Sequence, residues 1–340
     1  MPVLLILVLK RLVGALPSIA AVIVVTFILT RALPGDPAAY FAGPAANQES
    51  IEDIRRKLGL DRPLPVQFVA YLGELAHGEM GTSLTTGQPV SADILARLPA
   101  SVELTLCGLI MALMVAIPLG VAAATRPGSW IDHLARVVST AGVSLPVFFT
   151  GLLLVYIFYY LLGWAPAPMG RLDLFTSAPP AITGFYLVDS LLTGQLATFR
   201  AAAAQLVLPA LTLGLFSLAP LARMTRASML GVLSSDFVRT ARASGLSRGT
   251  ILVTYALRNA LLPVVTTLGM VFSFLLGANV LVEKVFSWPG IGSYAIEALV
   301  ASDYAPVQGF ILTMAIMYVG LNLAIDILYG LIDPRVRIEL

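Results

Sequence analysis

Residues 236–258 read DFVRTARASGLSRGTILVTYALR. This stretch carries four arginines and one aspartate, and it contains no lysine and no glutamate. Apolar segments at about 205–230 and 261–283 flank it, and each is long enough to cross a bilayer, which takes roughly 20 apolar residues. The pattern therefore predicts a basic loop between two membrane helices.

The composition indicates an integral membrane protein. Hydrophobic residues make up 58% and charged residues 12% of the 340 residues, and the mean hydropathy is +0.89. A soluble domain has about 25% charged residues, so this chain has too little polar surface for a soluble globule. Its one cysteine, Cys107, excludes an intrachain disulfide, and His77 and His133 are too isolated in sequence to suggest a metal site.

The apolar segments predict an all-α, polytopic membrane protein with six transmembrane helices. The segments lie at about 12–33, 101–125, 134–163, 205–230, 261–283 and 306–331. The first follows Lys10 and Arg11 and is longer than the core of a cleavable signal peptide, so we expect an uncleaved anchor. The fourth is the weakest of the six because Pro209 and Pro220 interrupt it.

The distribution of charge predicts the orientation in the membrane. With the N-terminus inside, 12 of the 21 Lys and Arg residues and only four acids outside the spans face the cytosol. Short loops rich in Lys and Arg stay on the cytosolic side. We therefore expect an N-in, C-in topology with the arginine-rich loop in the cytosol. The inside basic residues are Lys10, Arg11, Arg126, Arg136, Arg223, Arg226, Arg239, Arg242, Arg248, Arg258, Arg335 and Arg337.

The spans divide the chain into three segments. Residues 1–33 hold the N-terminal segment and the first span, residues 34–100 form an extracytoplasmic loop, and residues 101–340 form a core of five helices. The core includes a cytosolic loop at about 231–260 and an extracytoplasmic loop at about 164–204.

The first extracytoplasmic loop is predicted to hold a small helical subdomain. In SIEDIRRKLGL (Ser50–Leu60), Ser50 and Asp53 are spaced like a capping box and Gly59 marks a helix end. A second short helix is expected at about Val66–Leu75, after Pro65.

The cytosolic loop has the pattern of a docking surface. Val238, Ala241 and Gly245 fall on one helical face, and their small side chains predict a smooth surface that a partner can approach closely. Arg239 and Arg242 lie beside this face and can pair with carboxylates. Gly245 is placed to end the helix in a left-handed conformation. The spacing alone fits two functions equally, a docking site for a cytosolic partner and a basic anchor on anionic lipid.

Acidic residues near the spans are candidate functional groups. Asp326 is the acid that we place well inside a span, whereas Glu103 and Glu283 are placed at outer span ends, with Glu283 and Lys284 at the interface. We expect Asp326 to be structural and paired with an inward arginine or a helix terminus; a proton or cation site is the alternative.

The third span carries two further features. Ser144 and Pro146 predict a kink partway along it. Tyr156, Tyr159 and Tyr160 are typical of an interfacial belt, with a peptide path as the alternative.

The loop also carries a family resemblance. TARASGLSRGTILVTYALRNALLPVV (Thr240–Val265) resembles the EAA loop of ABC importer permeases in its peptide-permease form. Motifs along nearly the whole chain are similar to the dipeptide/oligopeptide permease family, in the family's order. They are RALPGDP (Arg31–Pro37), LGLDRPL (Leu58–Leu64), GTSLTTGQPV (Gly81–Val90), RLPASVELTL (Arg97–Leu106), GVSLPVFFTGLLL (Gly142–Leu154), VFSWPGIG (Val285–Gly292), DYAPVQG (Asp303–Gly309) and DILYGLIDPRVR (Asp326–Arg337).

The resemblance implies a type I ABC importer permease fold in the bacterial inner membrane and the import of short peptides. It also implies a coupling helix that docks on the ATPase, made of Arg239, Thr240, Ala241, Arg242, Ala243, Ser244, Gly245 and Leu246. The family's loop begins with a glutamate, where this chain has Arg239-Thr240-Ala241, and the usual proline arrives late, at Pro263. This departure bears on which residue contacts the ATPase.

The implied partners are a homologous second permease, two cytosolic ABC ATPase subunits, an extracytoplasmic solute-binding protein and membrane lipid, without nucleic acid. ATP and Mg would be bound by the ATPase subunits, so no cofactor is expected in this chain. The chain has neither a GxxxxGK[ST] phosphate loop nor a GxSxG elbow, which disfavours an enzyme. Nickel, glutathione or another small solute remains an alternative cargo, and a proton-coupled secondary carrier using Asp326 remains an alternative function.

Overall fold

The computed structural model of the protein describes residues 2–32, 36–43, 45–57 and 59–332. Within these ranges the regular structure is helical, apart from one isolated β-bridge between Thr82 and Pro89. The helices are α1 Pro2–Ala32, α2 Pro37–Ala42, α3 Gln48–Lys57, α4 Leu64–Ala76, α5 Val90–Thr125, α6 Trp130–Ser144, α7 Val147–Leu161, α8 Tyr186–Leu192, α9 Leu196–Leu233, α10 Asp236–Ala243, α11 Arg248–Val285, α12 Ile291–Val300 and α13 Tyr304–Ile332.

Among the described residues, four helices are long and apolar enough to cross a membrane, namely α5, α9, α11 and α13 up to Ile327. They contain the second, fourth, fifth and sixth predicted spans. The first predicted span lies in α1, whose described apolar part is Val13–Leu29, and the third lies in α6 and α7. The prediction of an all-α, polytopic membrane fold is confirmed. Arg335 and Arg337, which contributed to the predicted orientation, lie outside the described residues.

The third predicted span is broken in its middle, as Ser144 and Pro146 indicated. Helix α6 ends at Ser144, Leu145 is extended (φ −112°, ψ 144°), and α7 begins directly after Pro146. Proline has no amide hydrogen and disfavours a helical residue before it, which accounts for the break. By contrast, Pro209 and Pro220 lie inside an unbroken α9, so they do not interrupt the fourth span.

Helix α9 lies at the centre of the fold and packs against α5, α6, α7, α8 and α11. Two glycines of α5 allow its backbone to approach α9 closely. A Cβ atom at Gly108 would lie 2.8 Å from Leu213 Cβ, and one at Gly120 would lie 2.6 Å from Thr225 Cβ. Small residues at helix interfaces let membrane helices pack at short distance.

The segment between α1 and α5 is helical, as predicted, with α2, α3 and α4. The capping box at Ser50 is wrong, because α3 begins at Gln48 and the side chain of Asn47 accepts the amide hydrogen of Ser50 at 2.9 Å. Gly59 does adopt the left-handed conformation (φ +65°). Helix α4 is anchored to α1 through the stacked rings of Tyr71 and Phe27, whose centroids are 5.9 Å apart.

Candidate functional site

The predicted docking loop forms a short helix, α10, whose inner face is covered by this chain. Val238 and Ala241 are buried, and they pack with Ile251 of α11. Val232 and Leu233, at the end of α9, border the same cluster. The prediction that Val238 and Ala241 offer a smooth surface to a partner is therefore wrong, because that face holds α10 against its own neighbouring helices.

The remaining residues of the predicted docking site are exposed. They are Arg239, Thr240, Arg242, Ala243, Ser244, Gly245 and Leu246. Arg239 Nη1 lies 3.2 Å from Asp236 Oδ1, and the two side chains are 75% and 94% exposed. Such a surface pair contributes about 0–1 kcal/mol and leaves the guanidinium available. The outer face of α10 is thus open and basic.

Gly245 ends α10 in the left-handed conformation that the sequence predicts. Its φ is +77°, a value that residues with a Cβ atom adopt at a cost of about 1–2 kcal/mol. The amide of Gly245 donates to the carbonyl of Arg242 at 3.1 Å, and that of Leu246 donates to the carbonyl of Ala241 at 3.3 Å. This pair of bonds is the Schellman motif. It fixes the point at which the chain turns back toward the membrane.

A serine cap starts the next helix directly after this turn. Ser247 is extended, and its hydroxyl accepts the amide hydrogen of Thr250 at 3.2 Å. Helix α11 follows from Arg248 as one continuous helix to Val285, with π-helical turns over Ile251–Leu257. The C-terminal motif of α10 at Gly245 is thus followed directly by the N-cap of α11 at Ser247. We call α10, this turn and the start of α11 the α10–α11 hairpin.

Comparison with known proteins identifies the family of this chain. The family model described as "Binding-protein-dependent transport system inner membrane component" matches residues 116–338, and the model "Binding-prot-dependent transport system membrane comp, N-term" matches residues 4–105. The chain belongs to this family. It is therefore a transport permease component of the bacterial inner membrane.

Relatives of this permease are similar to it over almost their whole length. The chain is 44% identical over 327 residues to the "probable D,D-dipeptide transport system permease protein" of Escherichia coli, covering 96% of each chain. It is 44% identical over 329 residues to the di/tripeptide transport system permease protein of Pseudomonas aeruginosa, covering 96% of this chain and 97% of the other. It is 38% identical over 331 residues to the glutathione transport system permease protein of Salmonella typhimurium, covering 97% and 98%.

An ion pair that the sequence did not predict braces the cytosolic side of the permease. Arg226 of α9 donates to both carboxylate oxygens of Asp132 in α6, at 2.6 and 2.9 Å. The amide of Gly128 donates to Asp132 Oδ2 at 3.0 Å. The hydrogen bond from Arg226 lowers the pKa of Asp132 most, and the one from Gly128 lowers it further. Burial acts in the opposite direction and raises the pKa, but the net pKa stays well below its ordinary value. The pair joins α6 to α9 about two turns before α9 ends at Leu233.

The opposite end of the permease contains a buried carboxylate where an interfacial one was predicted. Glu283 is 1% exposed. Its Oε1 accepts hydrogen bonds from Ser101 and Asn279 at 2.5 and 2.9 Å, and its Oε2 accepts one from the amide of Ser293 at 2.8 Å. The prediction for Glu283 is wrong because the start of α12 folds over it. Gly290 leaves room for this carboxylate, because a Cβ atom there would collide with it.

Glu103, which the sequence places at an outer span end, is also buried. Its Oε2 accepts a hydrogen bond from Arg171 at 2.6 Å, and its Oε1 accepts one from the amide of Leu187 at 2.8 Å. Arg171 comes from the extracytoplasmic loop after α7 and also donates to the carbonyl of Gly184 at 2.7 Å. Its guanidinium lies 3.4 Å from the centre of the Tyr186 ring. These contacts fix the loop onto α5.

The predicted pairing of Asp326 with an inward arginine is confirmed. Arg11 Nε lies 2.9 Å from Asp326 Oδ2, and Arg11 Nη2 donates to Oδ1 at 3.0 Å. This ion pair joins α1 to α13, which also pack against each other.

Among the described residues, no group of three or more His, Cys, Asp or Glu residues could hold a metal ion.

Proposed function

We propose that this chain is the permease subunit of an ATP-driven importer of short peptides, and that the exposed face of α10 docks on a cytosolic ATPase. The observation that carries the proposal is the α10–α11 hairpin. It is a basic, exposed helix that is firmly capped and packed between two long membrane helices. A rigid element in this position can pass a force from the cytosol to both spans.

The packing of α10 supports a mechanical function. Val238 and Ala241 contact the end of α9 through Val232 and Leu233 and the start of α11 through Ile251. A shift of α10 is therefore carried by α9 and α11 together, because packed side chains move as a unit. The Asp132–Arg226 pair extends this connection to α6. The proposed docking residues are Arg239, Thr240, Arg242, Ala243, Ser244, Gly245 and Leu246.

The proposed cargo follows from the relatives. Two of those compared above are named for dipeptides or tripeptides and one for glutathione, which is itself a modified tripeptide. Short peptides are therefore the substrate class that the three names have in common. We propose that the path lies between this permease and a homologous second one, because a bundle of so few helices leaves little room for a wide path of its own.

The proposed mechanism is alternating access. Two ATPase subunits bind ATP and Mg, close, and shift α10, which tilts the spans and opens the path toward a peptide-loaded binding protein outside. Hydrolysis then restores the inward-facing state. This chain contributes walls of the path and the coupling helix, and it carries out no bond chemistry.

Uptake by the reconstituted complex tests the proposal. Proteoliposomes would contain this permease, the second permease, the ATPase subunits and the peptide-binding protein, with a radiolabelled dipeptide as substrate. The informative variant is Gly245→Trp, and Gly245→Asn is its matched control because asparagine tolerates the left-handed conformation. We expect Gly245→Trp to assemble but to lose most ATP-driven uptake, and Gly245→Asn to retain it.

Two results would count against this function. Normal uptake by the Gly245→Trp complex would place the ATPase contact elsewhere. Uptake by the purified chain alone, driven by a proton gradient without ATPase subunits, would make it a secondary carrier. The Arg11–Asp326 ion pair disfavours that carrier, since it occupies the carboxylate that such a carrier would use.

A further inference from the structure

A basic cavity of about 600 Å³ opens beside the hairpin, between the ends of α5 and α9, α10 and the start of α11. Three arginines line it, Arg126, Arg242 and Arg248. No acidic residue belongs to its lining. Within the described part of the chain, none of these three arginines forms an ion pair. The cavity thus gathers three unneutralised positive charges, which favours a multivalent or strongly negative group such as a phosphate.

One wall of the cavity lies at the end of a helix that is long and apolar enough to cross a membrane. Arg126 directly follows the membrane helix α5, and Arg248 is the first residue of the membrane helix α11. Trp130, at the start of α6, is 73% exposed. Exposed tryptophans are enriched at the height of the lipid head groups. Arg126, at the end of its predicted span, therefore lies near the level expected for phospholipid phosphates, and Arg242 and Arg248 line the same cavity from α10 and the start of α11.

The lining is apolar on its other side. The apolar lining consists of Leu233, Leu246, Ile251 and Leu252, and Thr125 completes the cavity wall. A soluble anion makes no favourable contact with such an apolar wall. A lipid does, because it carries an acyl chain next to its phosphate. Arg126 also belongs to the α5–α6 loop rather than to α10, so an ATPase docked on α10 does not account for it.

We propose that this cavity binds the head group of an anionic phospholipid, with Arg126, Arg242 and Arg248 around its phosphate and the apolar wall along its acyl chain. The bound lipid joins α10 to the end of α5 and so holds the hairpin in place. This inference goes beyond the proposed function. Arg242 and Leu246 line the cavity and also belong to the proposed docking residues, so Arg126, which does not, carries the test.

Retention of phosphatidylglycerol by the full-length chain tests the proposal. The chain is first incorporated into nanodiscs of phosphatidylglycerol and phosphatidylcholine. It is then released, and the lipid that stays bound to it is quantified by native mass spectrometry. We expect Arg126→Gln to weaken phosphatidylglycerol binding about fivefold, since one arginine near a head group contributes about 1 kcal/mol. Arg126→Lys should keep most of the binding because it keeps the charge.

Arg223→Gln is the matched control. Arg223 is an exposed arginine of α9 that does not line the cavity, and its loss changes the net charge equally. We expect this variant to retain the lipid. Thermal unfolding midpoints near that of the parent chain would show that the variants are folded.

Three results would overturn the proposal. Equal loss of lipid in the Arg126→Gln and Arg223→Gln variants would indicate general surface charge. Displacement of the lipid by inorganic phosphate would indicate a site for a soluble anion. Unchanged lipid binding together with reduced co-purification of the ATPase in the Arg126→Gln variant would make the cavity an ATPase contact.

Discussion

Ser101 of α5 donates a hydrogen bond of 2.5 Å to Glu283 near the end of α11. The same hydroxyl oxygen accepts the amide hydrogen of Ile291, at the start of α12, at 2.9 Å. One serine thus joins α5 to α11 and α12, two consecutive helices that lie far from α5 in sequence. Trp288 extends the junction, since its indole Nε1 donates to the carbonyl of Ala100 at 2.9 Å. The end of the fold opposite the hairpin is therefore rigid.

Removal of the Ser101 hydroxyl should destabilise this junction. The Ser101→Ala variant leaves the buried amide of Ile291 unpaired and takes one donor from Glu283. Leaving a buried polar group unpaired costs about 1–3 kcal/mol, so we expect a lower thermal unfolding midpoint in detergent. Ser91→Ala, in the first turn of the same helix, is the control and should change stability by less than about 0.5 kcal/mol. Equal stability of the two variants would show that the junction contributes little.

A side chain at Gly290 should have a comparable effect by steric means. Its φ of −96° is open to any residue, but a Cβ atom there would collide with the carboxylate of Glu283 and the hydroxyl of Ser101. We expect Gly290→Ala to lose about 1–3 kcal/mol, as overpacked sites do. Gly277→Ala in α11 meets no atom within 4 Å and should be neutral or slightly stabilising. Equal unfolding temperatures of Gly290→Ala and Gly277→Ala would contradict the predicted steric conflict at Gly290.

The Asp132–Arg226 pair should make stability depend on pH. The pKa of Asp132 is lowered in the folded chain. A carboxylate with a lowered pKa stabilises the fold above its unfolded pKa of about 4, and this contribution is lost as the pH falls toward the folded value. The unfolding midpoint of the parent chain should therefore exceed that of Asp132→Asn at pH 7.

Below pH 4 the difference in midpoint between the parent chain and Asp132→Asn should shrink. A constant difference across the same pH range would mean that the substitution acts through packing rather than through charge.

The Arg11–Asp326 pair should be structural. We expect Asp326→Asn to lower stability by about 1 kcal/mol, since Arg11 is 54% exposed and such pairs are weak. ATP-driven uptake per folded complex should remain close to that of the parent. Uptake measured against the amount of folded protein would separate the two effects, and a selective loss of uptake would support a proton site at Asp326.

Much of the fold follows from the sequence because its signals are local. The six apolar segments, the glycine stop at Gly245 and the break before Pro146 each depend on a few adjacent residues. The Arg11–Asp326 pair was predictable for another reason, since an acid inside a span needs a partner. Ser50 shows the limit of a local signal, because Asn47 lies three residues earlier and caps the helix instead.

The buried carboxylates were missed because their partners lie far away in sequence. Ser101 and Glu283 are separated by 182 residues, and Glu103 and Arg171 by 68. Helical spacing also fails to say which face of a helix is covered. The helical spacing correctly predicted that Val238 and Ala241 share one face of α10. Only the packing of that face against α9 and α11 shows that it is buried.

The central claim is that a cytosolic ATPase binds the exposed face of α10. Photo-crosslinking from Ala243 tests this claim most directly. A photo-reactive residue at this exposed position would be activated in the assembled complex, and one at the exposed Ile316 of α13 would serve as the control. We predict an adduct with the ATPase subunit from position 243 and none from position 316. Absence of an ATPase adduct at position 243, or an adduct there with the extracytoplasmic binding protein, would contradict the claim.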